Sequence, residues 1–180
     1  MRLLKPYERK LLKKVDLFNF SQEKNVKEAQ FMRRFRTTRR EYETYSRLTH
    51  KVRRLASLLL NMDKNDPYRM RTSRRLLDKL YEFGVIPSGD NLLAAEGLFP
   101  SAFARRRLPL VMLRNRMATN ITEAITYIDG GHVRIGPDTV KDPAALVPRA
   151  AEDYVTWTNK STIRRKINTF EGKQDDYAMA

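Results

Sequence analysis

A chain of 180 residues with 41% hydrophobic residues is long enough for one domain or two small lobes around a real core. It holds no cysteine, which excludes disulfides, thiolate chemistry and cysteine-built zinc sites, and its apolar runs, such as LASLLL at 55–60, fall far short of the roughly 20 residues a bilayer crossing needs. The balance of 36 Lys and Arg against 21 Asp and Glu leaves +15, a field that concentrates polyanions, so a soluble intracellular protein with nucleic acid as its leading partner class is expected.

The charge is unevenly spread. Residues 1–84 hold 23 Lys and Arg against 10 Asp and Glu, residues 85–104 hold none against 2, residues 105–141 hold 7 against 3, and residues 142–180 balance at 6 each. Two basic zones thus flank a near-neutral joint. Residues 1–20 read as a basic docking arm that ends in VDLFNF, with Leu17, Phe18 and Phe20 as its apolar contacts. Glu8 and Asp16 interrupt the arm and no apolar stretch with a small-residue cleavage site follows, so no signal peptide is expected.

Residues 21–104 read as a helical lobe. A first helix over Ser21–Thr37 ends in MRRFRTTRR, where Arg33, Arg34, Arg36, Arg39 and Arg40 surround Phe35. Guanidinium groups beside a ring suit RNA, since they meet phosphates and stack on unpaired bases, although a solvated helix end has the same composition. Thr38 with Glu41 three residues on is a capping box that starts the next helix. Along it Tyr45, Leu48, Val52, Leu55, Leu59 and Met62 form an apolar seam expected to be core, with Arg47, Lys51 and Arg54 on another face. After a turn at Asn65–Pro67 a helix is expected over Thr72–Phe83, with Leu76, Leu80 and Phe83 on one side and Gly84 as its stop, so that the two helices pair antiparallel. VIPSGDN is a joint, followed by a short apolar helix around Leu92–Ala95 and a break at GLFP.

Residues 105–160 change character. Arg105, Arg106 and Arg107 precede a helix that opens at Pro109, close to the N-terminal dipole where an anion is favoured. Its expected anchors are Leu110, Leu113 and Met117 on one flank and Val111 and Met112 on the other, with Arg114 and Arg116 at the rim. Asn120 and Glu123 signal a second helix carrying Ile121, Ala124, Ile125 and Ile128, which Gly130-Gly131 ends. HVRIG then alternates as a half-buried strand, Gly136-Pro137 turns the chain, and EDYVTW is a further strand with Val155 and Trp157 on one face. Glu152 and Asp153 read as a solvated strand start, since neighbours on a strand point to opposite faces. His50 and His132 have no metal-ligating neighbours, and no Walker loop, nucleophile elbow or dinucleotide fingerprint occurs, so neither a cofactor, a metal nor an enzyme is expected.

The succession RRRLPLVMLRNRM, NITEAITYIDGGHVRIGP and EDYVTW resembles the S4 RNA-binding domain, and KVRRLASLLLNMDKNDPYRM with RRLLDKLYEFGVIP resembles the helical lobe preceding that domain in eukaryotic relatives of ribosomal protein S4. VDLFNF, FARRRLPLVMLRNRM and TIRRKINTFEGKQDDYAM are similar to the S4-like branch of the family found in the U3 small nucleolar ribonucleoprotein. The resemblance implies an α+β fold, with a basic helical lobe followed by two short helices packed on a small, mostly antiparallel sheet, and residues 161–180 as a tail. It implies a nucleolar, non-enzymatic assembly factor that binds U3 RNA and precursor ribosomal RNA and promotes their pairing for early small-subunit processing. Its implied partners are a phosphoprotein scaffold and other processome subunits, without a membrane or a small-molecule substrate. RNA contact is implied at Arg105, Arg106 and Arg107, at Arg114 and Arg116, at Asn120 and Thr122, and on the strand at His132 and Arg134, with Arg106, Arg107 and Arg114 foremost. Pairing with acids such as Asp129 or Glu123 is the alternative use for the leading three. The alternative role within the family is a structural protein of the small ribosomal subunit, from whose long basic, glycine-rich tail the ending with Asp175 and Asp176 departs.

Overall fold

Helix ends, more than helix interiors, decide how this chain is laid out. The computed structural model describes residues 3–14 and 22–172, so VDLFNF and the Asp175-Asp176 ending lie outside the described residues. Helix α1 (Pro6–Lys14) is followed by α2 (Gln22–Phe35) and α3 (Arg39–Leu60). The expected capping box opens α3: Thr38 Oγ1 accepts from the Glu41 N–H at 3.4 Å, and Glu41 Oε2 accepts from the Thr38 N–H at 2.9 Å. Two donors with no partner inside the helix are satisfied at once.

The buried stripe of α3 keeps Tyr45, Val52 and Leu59 of the expected seam and replaces Leu48 and Leu55 with Thr49 and Ala56. Tyr45, Thr49, Ala56 and Leu59 are buried and Val52 packs against the core, whereas Leu48 and Leu55 are exposed. Helices α5 (Leu92–Glu96) and α6 (Pro100–Ala104) supply most of the packing on α3, and they approach over small residues: Ala56, Ala95 and Ala104 are wholly buried in one cluster. Thr49 can join that stripe because its hydroxyl donates to the Tyr45 carbonyl at 2.7 Å within the same helix, so this buried hydroxyl is paired.

Helix α4 (Pro67–Glu82) starts five residues before the expected Thr72. Asp66 is its N-cap, accepting from the Tyr68 N–H at 2.9 Å, and Pro67 takes the first turn, where a missing N–H costs nothing. Asn65–Pro67 is therefore a helix start as well as a turn. Gly84 stops α4 as expected, at φ +69°. Leu77 and Leu80 are its buried residues, while Phe83 is exposed.

Buried apolar residues fall into two clusters. The first joins Phe35, Tyr45, Ala56, Leu77, Leu80, Ile86, Leu98 and Phe103, and the second joins Leu108, Val111, Met112, Ala124, Ile128, Val133, Val147 and Val155. The second is built by α7 (Leu108–Arg114), α8 (Ile121–Asp129), β1 (Val133–Ile135), β2 (Asp138–Thr139), α9 (Arg149–Glu152) and β3 (Val155–Trp157). The sheet has order β2-β1-β3, antiparallel throughout, with Ile135 opposite Asp138 and Val133 opposite Trp157. Trp157 meets Tyr127 edge-on, ring centroids 5.5 Å apart. Helix α7 is anchored by Leu108 and the expected Val111 and Met112, and of the expected flank of Leu110, Leu113 and Met117 only Met117 packs on this cluster. Leu110 instead leans on the first cluster.

EDYVTW is only half a strand: Glu152 closes α9, Asp153 caps it, and extended backbone begins after Tyr154. The stretch after Ser161, expected as tail, opens with α10 (Thr162–Phe170), where the Ser161 hydroxyl accepts from the Ile163 N–H at 3.2 Å. The protein is α+β, a basic helical lobe joined to a small domain of two short helices on a three-stranded antiparallel sheet. Among the described residues no helix is long and apolar enough to cross a membrane.

Candidate nucleic-acid interface

Arg105, Arg106 and Arg107 bridge α6 and α7 in so few residues that their side chains must diverge. Arg105 is the C-cap of α6 and exposed. Arg106 is 5% exposed and turns onto the Val147 carbonyl, donating from Nε at 3.0 Å and Nη2 at 2.7 Å, while Nη1 reaches Glu152 Oε2 at 2.9 Å. The backbone fixes this approach: the Val147 N–H donates to the Arg106 carbonyl at 2.8 Å, and the Leu108 N–H to Ala145 at 2.9 Å. Gly84 lies against the same guanidinium, where a Cβ would come within 2.8 Å of Arg106 Cζ.

Arg107, 2% exposed, is the N-cap of α7 and reaches back into the helical lobe. Nη1 donates to the Phe35 carbonyl at 3.0 Å and to the Arg36 carbonyl at 3.4 Å, and Nη2 lies 3.2 Å from Glu41 Oε2. A cation thus sits on the C-terminal carbonyls of α2 and on the acid of the α3 capping box together. These two positions correct the sequence reading. Arg106 and Arg107, foremost among the expected RNA contacts, have their guanidinium groups turned inward onto carbonyls and carboxylates, because a buried charge must be paired. Their acids are Glu152 and Glu41, and not Asp129 or Glu123.

Arg114 keeps 51% of its side chain exposed while Nη1 holds Glu152 Oε1 at 2.5 Å. Burial pushes the Glu152 carboxyl up, but the hydrogen bond and charge of Arg106, with those of Arg114, outweigh it and hold the group below its ordinary range. Glu123 is committed elsewhere. It accepts from the Thr119 hydroxyl at 2.6 Å, the Tyr127 hydroxyl at 2.6 Å and the Thr119 N–H at 2.9 Å, which lower its pKa to about 2. Asn120 is the N-cap of α8 in backbone only and makes no side-chain cap bond.

Arg33, Arg34, Arg36, Arg39, Arg40, Arg116, Asn120 and Thr122 are exposed alongside Arg105. Arg34 lies over the Phe35 ring, 5.5 Å from its centroid, and Arg39 leans toward Glu43 at 3.5 Å. His132 and Arg134 are half-buried: His132 Nδ1 is 3.1 Å from the Ser161 hydroxyl, and Arg134 Nε donates to the Thr156 hydroxyl at 3.0 Å. The arginine-rich end of α2 and the α6–α7 link, about 70 residues apart in sequence, are brought together by the Arg107 bonds.

The family model for the ribosomal protein S4/S9 N-terminal domain matches residues 4–97. The U3 small nucleolar ribonucleoprotein protein IMP3 of Mus musculus is 43% identical over 99% of this chain and 98% of its own length, and its Saccharomyces cerevisiae counterpart is 41% identical over 98% of each. The chain belongs to this S4-like IMP3 family. The small ribosomal subunit protein uS4 of Entamoeba histolytica is similar at 26% identity, over 95% of the chain and 91% of its own length.

Two features of this IMP3-family chain escape the residue-by-residue reading. Arg149 donates from Nη2 to the Ile86 carbonyl at 2.8 Å, and its guanidinium lies 4.2 Å from the centroid of Tyr81, a second arginine, after Arg107, joining the lobes. Helix α10 sets Ile163 and Ile167 half-buried, with Phe170 93% exposed and Arg165 and Lys166 toward solvent. The spacing of 163, 167 and 170 behind Ser161 is a legible helix signal; the destination of Arg149 has none, since its acceptors lie 62 and 63 residues away. No group of three or more metal-ligating side chains occurs among the described residues.

Proposed function

We propose that this chain is an RNA-binding assembly subunit of the U3 small nucleolar ribonucleoprotein that acts in the nucleolus, promoting the pairing of U3 RNA with precursor ribosomal RNA for early small-subunit processing. The observation that carries this reading is the 41–43% identity, end to end, with proteins named for that particle. The exposed arginines of α2, α3 and the α6–α7 link supply its physics. Two RNA strands repel, and cations on a rigid surface screen that repulsion while releasing condensed counterions, which favours a duplex without turnover. The chain acts by binding and not as an enzyme, and a phosphoprotein scaffold with other processome subunits completes the particle. The remaining expected contacts, Arg105, Arg114, Arg116, Asn120, Thr122, His132 and Arg134, belong to the same reading.

The experiment is crosslinking in cells followed by sequencing of the bound RNA, paired with annealing of U3 RNA to its precursor complement in the presence of the purified chain. Crosslinks to U3 RNA and faster annealing that weakens steeply with salt are expected. Stoichiometric sedimentation with translating small subunits, without U3 crosslinks, would instead mean a structural ribosomal protein.

A further inference from the structure

Among the described residues four helices end in one and the same backbone turn. A residue one or two positions past the helix takes a left-handed conformation, and the N–H after it returns to the carbonyl five residues earlier: Thr37 to Met32 at 3.2 Å, Val85 to Leu80 at 2.9 Å, Met117 to Met112 at 2.9 Å and His132 to Tyr127 at 3.0 Å. At two of these ends the left-handed residue is glycine, Gly84 and Gly131, each at φ +69°. At the other two it is arginine, Arg36 at φ +48° and Arg116 at φ +57°. Glycine adopts this backbone freely, whereas any Cβ there crowds the following carbonyl.

Nothing among the described residues accounts for the choice. Both arginines are exposed, and neither side chain has an acid or hydrogen-bond partner among the described residues. A helix C-terminus favours a cation, but that need is already met. Helix α2 carries Arg33 and Arg34 in its last turn and the buried Arg107 guanidinium on its final carbonyls, and α7 ends with Arg114. Strain kept at a surface position without internal return points to something outside.

The two positions are also tied together. The Arg36 carbonyl accepts from Arg107, whose backbone caps α7, and Arg116 closes the far end of that helix. One arginine belongs to each lobe, and a single buried side chain and one short helix set their spacing. We propose that Arg36 and Arg116 form a two-point clamp on an RNA backbone, one phosphate contact from each lobe. The clamp rests on the reading that this chain binds RNA.

The test uses the full chain and transcribed U3 RNA, titrated by fluorescence anisotropy across a salt series, with Arg36→Gly, Arg116→Gly, their double variant and the two Arg→Lys variants. Each glycine variant is expected to keep its Tm or gain up to about 4 °C, because strain is relieved. Each is expected to lose about fivefold in affinity and about one unit of salt slope, the double variant about two, with lysine restoring most of the affinity. Glycine variants that bind with unchanged affinity and slope would overturn the clamp and leave RNA binding intact. A Tm that falls in step with affinity would overturn it as well, by making the arginines structural. A wild-type chain that does not bind U3 RNA would overturn the proposed function itself.

Discussion

Arg107 shows how far one side chain can extend a sequence signal beyond its own element. Its guanidinium closes α2, steadies the capping box of α3 and opens α7, so removing it leaves two carbonyls and Glu41 without their cation. Arg107→Ala is expected to cost about 2–4 kcal/mol in chemical denaturation, discounted for the partly exposed Glu41, while the salt slope of RNA binding stays unchanged. Lysine at this position restores little, since one ammonium cannot reproduce the fork. Glu123 supplies a pH dependence. Its folded pKa, about 2 against an ordinary 4.5, means that its stabilisation is complete above the unfolded value and is lost as pH falls from about 4.5 toward 2. Thermal unfolding followed from pH 5.5 to about 2.5 should therefore show a steeper decline for the wild type than for Glu123→Gln.

Helix termini were the most legible elements, because their signals are local. Thr38 with Glu41, and Gly84, act within four residues of where they stand, and the Gly130-Gly131 stop and the strand at Val133–Ile135 follow the same logic. The face that α3 buries was legible only in part, at Tyr45, Val52 and Leu59. Its apolar residues fill two neighbouring stripes, and the choice between Leu48 with Leu55 and Thr49 with Ala56 is made by α5 and α6, which need small residues to come close. The inward turn of Arg106 and Arg107 was equally hidden, as their acceptors lie 41 to 72 residues away. Gly84 is the element-scale test: at φ +69°, with Arg106 Cζ 2.8 Å from where a Cβ would stand, Gly84→Ala is expected to cost about 2 kcal/mol or more. Gly136→Ala, at φ +61° with open space around it, should cost only the strain, about 1 kcal/mol. Urea denaturation of the two variants side by side checks the difference.

At the scale of the molecule, two arginines, Arg107 and Arg149, reach from the lobe of the second apolar cluster onto carbonyls of the lobe of the first. A seam of charged donors on carbonyls is directional, so it holds the lobes in one relative orientation where an apolar seam would let them slide. The wild type is expected to unfold in a single calorimetric transition, and Arg107→Ala combined with Arg149→Ala to split it in two. A single transition in the double variant would assign the coupling to Leu110 and Leu146, which pack on the first cluster from the second lobe.

Trp157 makes that split directly visible. It is the chain's single tryptophan, set edge-on against Tyr127 beside β1, and the other lobe has only tyrosine and phenylalanine to absorb light. Selectively excited indole emission therefore follows the small sheet alone, while circular dichroism is dominated by the long helices α3 and α4. The molecule carries its own two-colour readout, one optical signal for each lobe, with no label to attach.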